Sequence, residues 1–447
     1  MRVIARTRAC SASCCSVSSD AAGHIGPALA RHGYCEGVVP EAPAQVTQVD
    51  PLPARGSALE VLRVSTRLGL TSFGGPIAHL GYFRNEYVAR RKWLDDADYA
   101  DIVALCQFLP GPASSQVGIA IGLIRAGFRG ALSAWLGFTL PSVLLLVAFA
   151  YSVQQVGGVL DSGWLHGLKI VAVAVVAQAV YGMATNLTPD RARITLALLA
   201  AAFVLAWSSA FSQVLVILVA GVIGWRILPR VELLPGRPFR LGIGRRTAIV
   251  SWVLFVGLLL SLPVAQRFTE SRGVAIFDSF YRSGSLVFGG GHVVLPLLQA
   301  EVVPPGWVST GEFIAGYGAA QAVPGPLFTF AAYLGVLSWD GPNAWLGALV
   351  AVVAIFLPSF LLVIGALPFW DELRSRVAFQ AALKGVNAAV VGILLAALYD
   401  PVWTSAIGAP EDFALALGAF GLLVFWKQPP WLVVLLAAFA GELVSRF

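Results

Sequence analysis

The sequence predicts an all-α polytopic membrane protein made of two homologous halves of inverted topology. Three observations carry that reading. Of 447 residues, 57% are hydrophobic and 12% charged, and mean hydropathy is +0.78; a soluble domain carries about 25% charged residues. The windows 130–154, 165–187, 247–265, 343–367 and 377–399 are each long enough for an apolar span of about 20 residues. The chain also repeats itself, starting with "RLGLTSFGG" (67–75) and "RSGSLVFGG" (282–290). With helices broken or re-entrant at the FGG and PGP motifs, about 11 to 13 membrane segments are expected.

Residues 1–55 are rich in Ala, Ser, Gly and Arg and show no apolar period, so a disordered and dispensable N-terminal tail is expected. It lacks the apolar run of a signal peptide. Cys14, Cys15 and His24 are too sparse to argue a metal site, and the five cysteines form no disulfide framework. Residues 56–230 form the first repeat. Residues 231–269 supply a basic cytoplasmic linker and one connecting transmembrane helix, and 270–447 the second repeat.

Order is kept throughout the repeat. Arg67 pairs with Arg282, Glu86 with Glu301, "QFLPGP" (107–112) with "QAVPGP" (321–326), "FTLPSVLLL" with "IFLPSFLLV", and Lys169 with Lys384. The linker region carries Arg226, Arg230, Arg237, Arg240, Arg245 and Arg246 against Glu232, which places it in the cytoplasm. One crossing between two halves of even span number inverts the second against the first, a pattern found in secondary transporters. The net charge of +6 follows from basic inner loops and does not indicate nucleic acid.

The PGP segments have like flanks. Arg84, Arg90, Arg91, Lys92, Arg125 and Arg129 surround the first, whereas 300–312 and 336–342 around the second contain no Lys or Arg. A spanning segment would have unlike flanks, so each PGP reads as a re-entrant hairpin, from the cytoplasm in one half and from outside in the other. The alternative is a kinked span.

Pro and Gly interrupt a helix, and in lipid the freed backbone groups persist only within protein or beside a cavity. The breaks are Gly74, Gly75 and Pro76; Pro110, Gly111 and Pro112; Gly289, Gly290 and Gly291; and Pro324, Gly325 and Pro326. Each helix restart presents free N–H groups and a partial charge of roughly +0.5, so four restarts sum to about +2, matched to a dianion. Ser114, Ser115 and Thr329 add hydroxyls, and Gln107 and Gln321 precede the PGP turns. Ionisable residues in the membrane are functional candidates. Arg67, Arg84, Arg282, Lys169 and Lys384 could neutralise an oxyanion or snorkel to an interface. Glu86 and Glu301 could carry a coupling proton or pair with arginines. His79 and His292 could serve directly or structurally. No metal-ligand spacing, phosphate loop, nucleophile motif or cofactor signature appears.

On "FGGPIAHLGYFRNEYVARRKWL" (73–94), "FLPGPASSQVGIAIG" (108–122) and their echoes from Phe288 and Pro324, the chain resembles the chromate ion transporter family. The resemblance covers about 56–445. It implies a long-chain, two-domain member that exports chromate across the inner (cytoplasmic) membrane, conferring resistance, driven by the proton motive force. Sulfate, alike in shape and charge, is the expected competitor, and a homodimer is left open. The alternatives are transport of sulfate or another oxyanion, a passive channel, or an intramembrane enzyme using His79 and Glu86. The second half departs from the pattern: Gly291 stands at the proline position and no arginine matches Arg84, so the halves are expected to be unequal.

Overall fold

The computed structural model describes residues 56–155, 163–207, 209–228, 244–288, 291–370 and 377–444. The tail, Asp161, the linker residues 229–243, Gly289, Gly290, Arg374 and Arg376 lie outside the described residues. Every regular element among the described residues is helical.

Helix α1 (Ala58–Thr71) begins at Ser57, whose hydroxyl accepts the Glu60 amide at 3.1 Å, and buries Val61, Val64 and Leu68. It stops at Ser72. After Gly74 the chain restarts as α2 (Gly75–Phe83), with Pro76 in its first turn, and runs on through a π-helical turn, Arg84–Arg90. Helix α3 (Asp96–Phe108), capped by Asp95, ends at the first PGP. Helix α4 (Ala113–Gln155) is two arms, because Ala126 and Gly127 leave helical geometry. The arms fold back on one another where the backbones of Gly122 and Gly130 touch. Helices α5 (Gly163–Leu187), α6 (Arg191–Ala206), α7 (Ala210–Ile227) and the connecting α8 (Arg245–Phe268) follow.

The second half repeats this order as α9 (Arg272–Leu286), α10 (Val294–Val302), α11 (Thr310–Ala320), α12 (Phe330–Ser338), α13 (Ala344–Ala366), α14 (Val377–Ala397), α15 (Pro410–Val424) and α16 (Pro430–Val444). Helices α12 and α13 correspond to the two arms of α4, and Gly335 and Gly347 repeat the Gly122–Gly130 contact.

In each half the arms on either side of the breaks return to a common base. The Gly56 amide donates to the Arg125 carbonyl at 3.0 Å, Arg91 lies 3.7 Å from Glu60, and Arg125 sits 5.1 Å over the Trp93 ring. The start of α1, the end of the π-helical turn, the start of α3 and the end of the first α4 arm are therefore together. At the corresponding base of the second half, Arg272 bonds Asp340 at 2.7 Å and covers Trp307 at 5.0 Å. Among the described residues, five helices, beginning at Ala113, Gly163, Arg245, Ala344 and Gln380, are long and apolar enough to cross a membrane. The FGG and PGP breaks leave shorter arms on either side, and Phe211–Ile227 and Pro430–Val444 are short apolar helices apart from them.

Equivalent helices run in opposite directions. Tyr151, near the end of α4, accepts the Trp345 amide at the start of α13, while Trp135 packs on Phe356 and Phe360 further along α13. The long arm of α4 and α13 are thus antiparallel, as inverted repeats require.

The halves also exchange partners. Helix α5 packs against α15 and α16, and α14 against α6 and α7. A Cβ at Gly167 would overlap the Ala437 carbonyl, and one at Gly385 the Ala220 carbonyl; Gly441 and Gly224 complete the two crossings. Small residues at such crossings let backbones approach, which drives helix association where the hydrophobic effect cannot. The crossings equate Gly167 with Gly385, 218 positions apart, while the sequence repeat aligns Lys169 with Lys384, 215 apart. The two lysines therefore do not occupy equivalent places.

Candidate substrate site

The four breaks meet, and they meet across the halves. The Gly111 amide donates to the Val287 carbonyl at 2.6 Å, and the Gly325 amide to the Ser72 carbonyl at 2.9 Å. Ser72 and Val287 are the C-caps of α1 and α9, so each PGP turn satisfies the open end of the other half's broken helix. Ser142 donates its hydroxyl to the Pro324 carbonyl, and Ser359 stands at the equivalent place, 3.0 Å from a Cβ built on Gly111. Gly111 (φ +122°) and Gly325 (φ +99°) adopt a backbone that L side chains resist.

The two FGG breaks touch directly. Pro76 lies 3.2 Å from a Cβ built on Gly291, and His292 Nε2 lies 3.9 Å from one built on Gly75. The start of α2 has no side-chain cap, leaving the first amides open toward this junction.

The side chains at the junction are sealed and rich in donors. His79 is buried, edge-on to Phe138, with Nδ1 3.4 Å from Ser114 Oγ. His292 Nδ1 meets the Tyr317 hydroxyl at 2.7 Å. His79 Nε2 and the hydroxyls of Ser72, Ser115, Thr139 and Ser359 are buried without a hydrogen-bond partner among the described residues. Leaving such groups unmade costs about 1–3 kcal/mol each, and hydroxyl and imidazole groups so placed can donate hydrogen bonds to a guest. None of the five is a carboxylate.

The structure brings Gly74, Gly75, Pro76, His79, Pro110, Gly111, Pro112, Ser114, Ser115, Gly291, His292, Gln321, Pro324, Gly325 and Pro326 to this junction. It does not bring the cations there. Arg84 is exposed and paired with Asp96 at 2.8 Å. Arg67 is exposed on α1 and makes no ion pair among the described residues. Arg282 is held by Asp278 at 2.9 Å and Glu301 at 2.8 Å. Lys169 Nζ lies 3.1 Å from a Cβ built on Gly311, in the first turn of α11, and Lys384 is half-buried on α14. Gln107 is exposed; the first PGP turn is closed by Gln116, which donates to the Pro110 carbonyl at 2.7 Å. The Thr329 hydroxyl is spent on the Pro326 carbonyl. Glu86 is bound by Arg90 and Arg91, at 3.1 and 2.7 Å.

Sequence reasoning missed Gln116, Tyr317, Thr139, Asp278 and the Ser142–Ser359 pair. The last had a visible signal, since both serines follow the proline of the duplicated "LPS".

The chromate transporter family profile matches residues 59–225 and 274–442. A chromate transport protein of Pseudomonas aeruginosa is 29% identical over 394 residues, covering 85% of this chain and 90% of that protein. One from Cupriavidus metallidurans is 27% identical, covering 84% and 90%. An uncharacterised transporter of Bacillus subtilis is 27% identical over 182 residues, 39% of this chain but 98% of that protein, the length of one half. No solved structure matches this chain. With the profile on both halves and transport proteins as relatives, the chain belongs to the chromate transporter family.

Proposed function

We propose that the protein exports chromate across the cytoplasmic membrane, driven by the proton motive force, by binding it where the four helix breaks meet. The observation that carries this reading is the sealed cluster of unpartnered donors at the junction: a tetrahedral dianion offers acceptors on every side, and the helix starts supply positive potential. Sulfate has the same shape and charge and competes. Direction is argued from charge. Arg84, Arg90, Arg91, Lys92, Arg125 and Arg129 lie at the base of the first-half hairpins, while the second base holds Arg272, paired with Asp340, and Glu312. The positive-inside bias puts the first base in the cytoplasm. There, a recess of about 290 Å³ is lined by Arg63, Arg91 and Glu60, the last two paired at 3.7 Å.

The test is uptake of labelled chromate into everted membrane vesicles energised by respiration. Uptake abolished by an uncoupler and reduced by excess sulfate is expected. Uptake that persists unchanged with the uncoupler would leave a passive anion pathway instead.

A further inference from the structure

We infer that Asp278, with Arg282 and Glu301, forms the proton-binding site of the transporter, separate from the substrate junction; this rests on the proton-driven reading above. Arg282 Nη2 lies 2.9 Å from Asp278 Oδ2 and 2.8 Å from Glu301 Oε2. One guanidinium thus serves two carboxylates, and the cluster carries one excess negative charge when both are ionised. Asp278 is fully buried, and its Oδ1 accepts no hydrogen bond among the described residues.

Among the described residues, no further ionic side chain pairs with the cluster. Helices α12 and α13, and 247–266 of α8, which pack around α9, contain no Asp, Glu, Lys, Arg or His. From α10 only Glu301 faces the cluster, and the Ser279 hydroxyl reaches Glu301 from α9. A like-charge pair sharing one site holds a proton on one of its members. Binding one proton at Asp278 Oδ1 makes the cluster neutral and gives the bare oxygen its hydrogen. Arg282 and Glu301 keep 30% and 12% of their side-chain surface, so the cluster is not closed around Asp278 on that side.

The first half lacks the device. At the positions equivalent to Asp278 and Arg282 stand Arg63 and Arg67, both exposed, and Glu86 turns to Arg90 and Arg91. The proton site is therefore single, on one side of the substrate.

The experiment compares wild type, Asp278→Asn and Glu301→Gln, full-length, in proteoliposomes, with two readouts: chromate accumulation under an imposed proton gradient, and chromate–chromate exchange without one. With the membrane potential clamped at zero, a proton gradient equivalent to about 100 mV supports roughly fiftyfold accumulation for each proton coupled to chromate. Both variants should lose that accumulation and its dependence on pH, while exchange persists. Each leaves a neutral ion pair, so Glu301→Gln serves if Asp278→Asn fails to reach the membrane. Accumulation in either reconstituted variant that still follows the proton gradient would overturn the site and leave the proton-driven reading standing. A wild type indifferent to the gradient would overturn both.

Discussion

The two halves share a scaffold and differ in charge. Main-chain features are duplicated closely: Gly111 bonds Val287 as Gly325 bonds Ser72, and Gly167 crosses Ala437 as Gly385 crosses Ala220. The ionisable groups are not. The α1 face shows Arg63 and Arg67 in the open, while α9 buries Asp278 and holds the half-buried Arg282 between it and Glu301. His79 touches Ser114 loosely at 3.4 Å, whereas His292 is anchored on Tyr317 at 2.7 Å. Backbone symmetry builds one junction that both halves must complete. Charge asymmetry then gives its two sides different tasks, which a vectorial process needs.

The inversion gives the sharpest outcome. Asn85 and Pro305, both exposed, lie at opposite hairpin bases, so cysteines placed there should react with an impermeant thiol reagent from opposite sides. Labelling of both from one side would end the comparison.

The crossings come next. Gly167→Leu and Gly385→Leu each drive a side chain into a facing carbonyl, and overpacking of this kind costs roughly 3 kcal/mol. Thermal stability in detergent should fall alike for both. If one is tolerated, the two crossings are not equivalent.

At the junction, Gly75→Leu should stop transport. Gly75 has φ +78° and faces His292 across the halves, so a leucine fills the space between them. Gly75→Ala shares the backbone strain, about 1–2 kcal/mol, without that bulk, and should transport. Vesicle flux measured beside membrane abundance separates filling from misfolding. A smaller effect is expected from Tyr317→Phe, which frees His292 Nδ1 from its partner. Losing a hydrogen bond worth about 1 kcal/mol should raise KM for chromate about fivefold.

How much of this was legible in the sequence follows from what the breaks do. Gly and Pro act on the main chain where they stand, so the four breaks and their pairing could be read from spacing alone. Side chains near a break in sequence are another matter. Helix α2 is nine residues, about 13 Å long at 1.5 Å per residue, so Arg84 at its far end belongs to the hairpin base and not to the junction. Gln107 precedes the PGP turn but points away from it, and Gln116, beyond the turn, closes it. Asp278 was hidden for a different reason. Its counterpart in the first half is Arg63, so a search for duplicated charges passes over it.

Arg84→Lys tests that last distinction at its weakest point. If Arg84 gripped chromate with its planar fork, lysine would keep the charge, lose the two-point contact and cut transport severely. The structure gives it another partner: one bond to Asp96 at 2.8 Å, with 59% and 65% of the two side chains exposed. A pair so open contributes about 0.2–1 kcal/mol, and lysine can still make it. Flux should therefore stay within about twofold of wild type, and Arg84→Ala should add only the loss of a surface pair. A tenfold fall in flux for Arg84→Lys at normal membrane abundance would mean that the first-half hairpin carries Arg84 to the substrate during the cycle. The first half would then carry a cation to a junction that Arg282, held by Asp278 and Glu301, does not reach.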